Sequence, residues 1–149
     1  MLHTSPEPFP RDQASPGRPL ESLYTPGFVS WAVFSRCYAP GDPDRRGKLL
    51  FRLHQDLVYI SRAGELYTVP AGYVSDLGSV PRFLWPILPP HEFPSAYFLH
   101  DRGYDLQDEP REKIDLLLYE SLLLSHAPPW KAALIYKGVR IGGGGHWKG

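Results

Sequence analysis

The sequence predicts an α+β fold in which a small antiparallel β-meander is followed by three or four helices. Short segments that alternate apolar and polar residues lie in the first half of the chain and are separated by turn-forming residues. The second half carries apolar residues at helical spacing, with proline near several helix starts. Because the strands precede the helices, the class is α+β, with a helical hairpin that carries the candidate site.

The chain divides into three predicted segments. Residues 1–26 contain six prolines and few apolar residues, which is typical of an extended or disordered arm. A plain tail is the simpler interpretation of the arm, and a partner-binding segment is the alternative. Residues 27–141 form a single domain, and residues 142–149 form a glycine-rich C-terminal tail. We expect that tail to be a flexible linker, with the alternative that His146 and Trp147 fold back over the site.

The strands of the meander follow from alternation and from the turns between them. Ala63-Gly64-Glu65 indicates a hairpin, and Pro70 ends the last strand. Four segments have the length and pattern of strands: Phe28–Phe34, Leu49–Leu53, Leu57–Ser61 and Leu66–Val69.

The helices follow from caps, prolines and apolar stripes. Ser79 is the predicted N-cap of a brief helix through Trp85, and Ser95 is the predicted cap of a helix that runs to about Asp105. Two longer helices follow, from Pro110 to about Ser125 and from Pro128 to just before Gly142. Four aromatic residues are expected in the core, with a lipid-binding patch as the alternative: Tyr59, Tyr67, Phe83 and Trp85.

Composition limits the function classes. The 149 residues suffice for one domain with a real core, and 16 basic and 16 acidic residues argue against a nucleic-acid-coating surface. No run of about 18 apolar residues is present, so no membrane span is expected. The single Cys37 excludes an intramolecular disulfide, and the amino terminus lacks the pattern of a secretory signal. We therefore expect synthesis in a reducing cytoplasm.

The segment Phe98–Tyr104 brings a base, a carboxylate and a phenol together on one helix. His100 lies about six residues before the end of its helix and Asp115 about five residues after the start of the next, which is roughly 9 and 8 Å from the connecting loop. A short loop favours antiparallel neighbours, so these two side chains should face each other. Tyr104, one turn after His100, could hydrogen-bond to Asp115. Asp101 points about 100° away and could bind a cation.

Two interpretations of this pair remain open. An imidazole held by a carboxylate is suited to take a proton from water, which indicates hydrolysis. A buried His-Asp-Tyr network can instead pin two helices together, and the bare spacing favours that simpler role. Asp115 lies in an otherwise apolar run, where an unpaired carboxylate would cost several kcal/mol. It therefore needs a partner, and His100 is the predicted one.

The pattern His-Asp-x-x-Tyr, followed by a basic residue and Ile-Asp, resembles the catalytic helices of small phospholipases A2, above all the prokaryotic and parvoviral branches. The resemblance covers about 25 residues, from Phe98 to Leu122. It implies that His100 is the general base, Asp101 a calcium ligand and Asp115 the residue that orients His100, with Tyr104 in support. No glycine-rich calcium loop precedes the helix, because a proline-rich stretch, residues 86–94, stands there.

A broader resemblance covers about 80 residues. Tyr67-Thr68-Val69-Pro70-Ala71-Gly72-Tyr73-Val74-Ser75-Asp76-Leu77-Gly78-Ser79-Val80-Pro81-Arg82 is similar to the opening of domain-of-unknown-function family 1353, which is found in phages and prophages. The Leu84-Trp85-Pro86 stretch, the His100-Asp101 pair and the helix around Asp115 follow in the same order. The resemblance implies a phage or prophage origin and no established activity.

Three residues before the hairpin are further candidates. Asp76 is a candidate metal or substrate ligand facing His100, although bonds to nearby backbone amides are the simpler interpretation. Ser79 and Arg82 are candidate substrate-binding residues, with an N-cap and an ordinary salt bridge as the alternatives.

The sequence therefore predicts a phage-encoded hydrolase that acts on a host envelope component, either a phospholipid ester or a peptidoglycan amide. His100 would activate water, Asp115 would orient the imidazole, and Asp101 and Asp76 would hold a divalent cation, calcium or zinc. The alternative is a non-enzymatic virion or tail-associated protein whose partners are other virion proteins. Synthesis in the host cytoplasm fits both hypotheses, and virion association fits the second.

Overall fold

The computed structural model describes residues 25–37, 50–77, 82–89, 92–145 and 147. Six short strands precede three α-helices in this part of the chain, which confirms the α+β class. The strands are β1 (Gly27–Phe28), β2 (Phe34–Cys37), β3 (Leu50–Leu53), β4 (Leu57–Ile60), β5 (Leu66–Val69) and β6 (Val74–Ser75). The helices are α1 (Pro94–Leu106), α2 (Arg111–Leu124) and α3 (Pro129–Gly142).

The strands form two antiparallel sheets of three, in the orders β1-β4-β5 and β2-β3-β6. The predicted single strand Phe28–Phe34 is therefore wrong, because this segment crosses from one sheet to the other. The alternation of apolar and polar residues in this segment does not reflect a strand with one buried face. The apolar side chains within the crossing are largely exposed: Val29 64%, Trp31 57% and Val33 48%.

Hydrogen bonds to other elements hold the crossing segment in place. Ser30 Oγ accepts from the Val58 amide at 3.0 Å and donates to the Asp56 carbonyl at 2.9 Å. The Ala32 amide donates to Ser95 Oγ at 2.9 Å. Ser95 was predicted to cap α1, but α1 begins at Pro94 and Ser95 is buried in its first turn. The serine hydroxyl bonds the crossing segment instead of a helix amide.

The core lies between the two sheets and the helical layer. Tyr59 is fully buried on the inner face of β4, and its hydroxyl donates to Glu120 of α2 at 2.5 Å. Phe98 of α1 packs against Phe34 and Tyr73, with ring centroids 5.6 and 6.4 Å away. The first half of α1 is therefore buried from Ser95 to His100, which places His100 at the edge of the core.

The three helices lie next to one another in chain order. Pro110 is the N-cap of α2 rather than its first residue, and Pro129 is the first residue of α3. Gly103 brings α1 close to α2, because a Cβ at this position would lie 2.7 Å from Ile114 Cγ2. This close approach places the His100 turn of α1 beside the Asp115 turn of α2.

The segment before α1 differs from its prediction. Arg82–Leu84 form a 3₁₀ helix in place of the predicted brief helix, whose N-cap Ser79 lies outside the described residues. Phe83 is 80% exposed, so its placement in the core is wrong, and Trp85 is 37% exposed. Leu84 between them packs on the core. Of these three residues, Leu84 is therefore the one whose side chain points toward the core.

The glycine run continues from the helical layer. Gly142 is the last residue of α3, and Gly143–Gly145 form a 3₁₀ turn. The Trp147 ring lies 5.1 Å from the Tyr104 ring, so this residue folds back on α1. None of the helices in the described part of the chain has the length and apolar character that crossing a bilayer requires.

Candidate functional site

The predicted contact between His100 and Asp115 is present. His100 Nε2 lies 2.8 Å from Asp115 Oδ1, and the Tyr104 hydroxyl donates to the same oxygen at 2.7 Å. The imidazole and phenol rings are 4.4 Å apart. One carboxylate of α2 thus holds two side chains from successive turns of α1, as the helical spacing predicts.

The second oxygen of Asp115 faces two arginines. Arg140 of α3 donates from Nη1 to Oδ2 at 2.8 Å, and Arg111 Nε lies 3.6 Å from the same oxygen. Arg111 also donates to the Tyr104 hydroxyl at 3.1 Å and to the carbonyls of Val139 and Arg140. Asp115 therefore links all three helices, and Arg111 binds carbonyls at the end of α3, where unpaired acceptors need donors.

The ionised form of Asp115 is stabilised by its partners. Its side chain is fully buried, and burial alone would raise its pKa. Hydrogen bonds from His100, Arg140 and Tyr104 outweigh that effect and lower the pKa of Asp115 below its usual value. The carboxylate is thus charged, and a charged carboxylate only accepts hydrogen bonds.

The charge on Asp115 fixes the tautomer of neutral His100. Nε2 must carry the proton that it donates to Asp115, so Nδ1 is the nitrogen with the lone pair. Nδ1 lies 4.0 Å from Asp101 Oδ1. The side of the imidazole that can accept a proton is therefore the side of Asp101.

Asp101 is also held by the sheet. Ser75 of β6 donates from its hydroxyl to Asp101 Oδ2, and the Leu77 amide donates to Ser75 Oγ at 2.9 Å. Asp101 is 18% exposed and His100 is 3% exposed. Ser75 at the end of β6 thus holds the Asp101 carboxylate beside Nδ1 of His100, close to the protein surface.

Tyr104 closes the network toward the C-terminal glycines. Burial, and then its bond to Asp115, raise the pKa of Tyr104 to about 12, despite the opposing effect of Arg111. A Cβ at Gly143 would lie 2.6 Å from the Tyr104 hydroxyl and 3.2 Å from Arg111 Nη2. Glycine at this position lets the chain pass over the phenol to Trp147.

The predicted cation ligands do not form a complete site among the described residues. Asp76 is exposed and follows Ser75, so two carboxylates lie near the end of β6. In the part of the chain that the structure describes, no group of three or more His, Cys, Asp or Glu side chains is arranged to hold a metal ion. Calcium takes six to eight oxygen ligands, and these two carboxylates supply only part of such a set.

Of the two predicted substrate-binding residues, the structure describes one. Arg82 begins the 3₁₀ helix before α1. Ser79 lies outside the described residues. Their roles in substrate binding stay predictions.

A family model for a protein of unknown function, DUF1353, matches residues 51–139, which is more than half of the chain. This chain belongs to the DUF1353 family. The DUF1353 match runs from β3 into α3 and includes His100, Tyr104, Asp115 and Arg111, whereas Arg140 lies one residue beyond it. A search of curated proteins and a search of solved structures found no match to the chain.

Three site residues of this DUF1353 chain are absent from the prediction. Arg111 carries a local signal, because it precedes Asp115 by four residues on the same helix. Arg140 and Ser75 reach the site only through tertiary packing, from a helix and a strand far away in sequence. Nothing in their local sequence indicates a partner in the hairpin.

Proposed function

We propose that this chain is a phage-encoded hydrolase in which His100 is the general base and Asp115 is its positioning residue. The observation that carries the proposal is the 2.8 Å bond between His100 Nε2 and an ionised, fully buried Asp115. That bond leaves the lone pair on Nδ1, beside Asp101. A carboxylate that holds the imidazole in one orientation and stabilises its charged form is the arrangement that a general base acting on water requires.

The proposed reaction uses one proton of one water molecule. Nδ1 of His100 removes that proton while the water oxygen bonds to the carbonyl carbon of an ester or amide. The bond between the carbonyl carbon and the leaving group then breaks, and the imidazolium gives its proton to the leaving atom, which is the oxygen of an ester or the nitrogen of an amide. The products are a carboxylic acid and an alcohol or amine. Asp115 stabilises the imidazolium in between, because opposite charges lie at hydrogen-bond distance.

Arg140 and Tyr104 fix the position of Asp115 and also share its charge. Each donates one bond to the carboxylate, so the oxygens cannot rotate away from His100. The same contacts weaken the field that Asp115 exerts on the imidazole. We therefore assign Arg140 and Tyr104 to positioning rather than to proton transfer.

The proposed reaction does not require a divalent cation, and cation binding is a separate question for experiment. The donor set around Asp101 and Asp76 does not complete a calcium or zinc site in the described residues, so no step is routed through a cation. Calcium or zinc that raises the melting temperature of the native chain, but not that of Asp101→Asn, would support a cation site.

The proposed substrate is a host envelope component. The resemblance of α1 and α2 to phospholipase A2 helices favours a phospholipid ester, and a peptidoglycan amide is the second bond type. Family membership alone names neither bond, because the family is one of unknown function. Synthesis in the host cytoplasm and a phage origin belong to the same proposal.

Hydrolysis of phospholipid vesicles and of purified peptidoglycan by the full chain and by His100→Gln tests the proposal. Glutamine keeps a donor near the position of Nε2 but has no basic nitrogen, so we expect a loss of about 10²- to 10⁴-fold in rate with the fold retained. His54→Gln is the matched control, because His54 is exposed and its side chain contacts Ser35 of β2. Equal rates for His100→Gln and the native chain would exclude the hydrolase.

A structural role in a virion or tail is the second candidate, and one observation favours it. Asp115 is fully buried, His100 is 3% exposed, and the carboxylate is already paired with Arg140. A network of this kind can join three helices without taking part in any reaction. This role predicts no hydrolysis, a non-additive drop in melting temperature for His100→Ala and Asp115→Ala, and co-purification with phage particles.

A further inference from the structure

A groove on the helical hairpin lies apart from the His100 site. It encloses about 310 Å³ between β5, α1 and α2, and none of the residues that bond Asp115 lines it. Its floor is apolar and comes from both helices and the strand: Val69, Leu99, Ile114 and Leu117. Leu66 and Leu106 at its mouth are 67% and 49% exposed. A groove of this size is at the lower end of the range for ligand sites.

One wall of the groove is an unpaired strand edge. In the sheet order β1-β4-β5, β5 pairs only with β4 in the described part of the chain. The Ser61 amide bonds the Glu65 carbonyl, so by the alternation of an antiparallel ladder Tyr67 and Val69 also bond β4. The amides and carbonyls of Leu66 and Thr68 therefore point away from β4. Such an edge is a template for another strand.

The opposite wall carries a donor without an acceptor. Arg102 of α1 lines the groove, and its guanidinium lies 5.4 Å from the centre of the Tyr73 ring. Arg102 Nε is buried and has no hydrogen-bond partner among the described residues. A buried donor of this kind is costly unless an acceptor satisfies it, and an oxygen of a bound ligand is one such acceptor.

The rim of the groove is acidic. Glu65, Glu109 and Asp108 line it, and the first two share Lys113, which bonds each at 2.8 Å. Three carboxylates against Lys113 and Arg102 leave a net negative charge. The rim therefore favours a ligand that carries positive charge.

We propose that this groove binds an extended, positively charged peptide segment by strand addition to β5. The peptide backbone pairs with Leu66 and Thr68, one of its carbonyls accepts from Arg102, and its apolar side chains lie on the floor. Its cationic side chains lie at the acidic rim. Strand addition gives a partner to the outer edge of β5, to Arg102 Nε and to the acidic rim at the same time. The proposal does not rest on hydrolysis by His100.

Titration of the full chain with end-blocked hexapeptides tests this binding mode. The probes are Lys-Val-Lys-Val-Lys-Val, its glutamate counterpart, and the lysine peptide N-methylated at every backbone amide. We expect the lysine peptide to bind at least about tenfold more tightly than either of the others, and to protect the amides of Leu66 and Thr68 from hydrogen exchange. Equal binding of the three peptides, or no binding of the lysine peptide at about 1 mM, would overturn the proposal.

Two variants locate the binding. Thr68→Pro deletes one outward amide, which an edge strand tolerates, and should weaken binding by about threefold to tenfold. Arg36→Pro is the matched control, because the ladder places the Arg36 amide on the outer edge of the other sheet. Binding of Thr68→Pro that equals native binding would overturn the proposal. The N-methylated peptide gives the same readout should Thr68→Pro not fold.

Discussion

Each partner of Asp115 has a distinct effect at the scale of single residues. His100 and Tyr104 share one oxygen, and Arg140 takes the other. The hydrogen bonds from His100 and Tyr104 orient the carboxylate, and the guanidinium balances its charge. Because all three favour the ionised form, the pKa of Asp115 is lowered despite complete burial.

The sequence predicts this residue-level network only in part. His100, Tyr104 and Asp115 follow from helical spacing, since residues one turn apart share a face. Arg140 could not be predicted, because its position depends on how α3 packs on α2. The role of Gly143 was also missed, because a glycine run is typical of a flexible linker and gives no sign of a close approach to Tyr104.

Gly143→Ala should destabilise the protein by about 1 to 3 kcal/mol. The added Cβ would lie 2.6 Å from the Tyr104 hydroxyl, which is held by Asp115 and cannot move without loss of that bond. Gly142→Ala is the matched control, since among the described residues nothing outside its own helix and chain neighbours lies within 4 Å of its added Cβ. Chemical denaturation measures both variants. A Gly143→Ala variant as stable as Gly142→Ala would show that the glycine turn does not pack on Tyr104.

At the scale of elements, the helical hairpin was predictable and the sheet arrangement was not. The limits of α2 and α3 and the facing of His100 and Asp115 follow from proline positions, apolar stripes and a short loop. The division of the strands into two sheets does not, because the exposed residues Val29, Trp31 and Val33 give the same alternation as a half-buried strand. The side-chain bonds of Ser30 and Ser95 decide the crossing.

Arg140→Met should loosen α3 from α2. It removes a 2.8 Å bond to Asp115, so we expect a lower free energy of unfolding, and the solvent exposure of Arg140 keeps that loss smaller than for a buried pair. Lys137→Met on the exposed side of the same helix is the control. Chemical denaturation of the two variants gives the comparison. Equal stability would mean that Arg140 contributes nothing to helix packing.

At the scale of the whole molecule, the described part of the chain presents two separate surfaces on the same hairpin. The His100 network lies where α1, α2 and α3 meet, and the groove lies between the hairpin and β5. The sequence predicts the first surface through its titratable residues. It does not predict the second, because two of its features arise only from packing: the β5 edge and the Arg102 Nε, neither of which has a partner among the described residues.

The stability of the whole molecule should depend on the ionisation of Asp115. Its pKa is lower in the folded than in the unfolded chain, so its contribution is fully present above the ordinary value of 3.8 and is lost as the pH falls through the folded pKa. We expect the free energy of unfolding to decrease below about pH 4. Glu65, whose pKa is lowered chiefly by Lys113, adds an effect of the same sign.

Denaturation of the native chain and of Asp115→Asn between about pH 2 and pH 6 measures that dependence. Asp115→Asn should be less stable near neutral pH, because Arg140 loses its anionic partner, and its stability should change less with pH. Parallel curves for the two proteins would contradict the lowered pKa.

The tautomer of His100 tests the central claim most directly, because both positioning by Asp115 and proton transfer at Nδ1 depend on it. Imidazole ¹⁵N chemical shifts of the full chain, recorded at a pH where the ring is neutral and assigned with His100→Gln, report which nitrogen carries the proton. The account predicts a protonated Nε2 and an unprotonated Nδ1. A proton on Nδ1 of the neutral ring would contradict it.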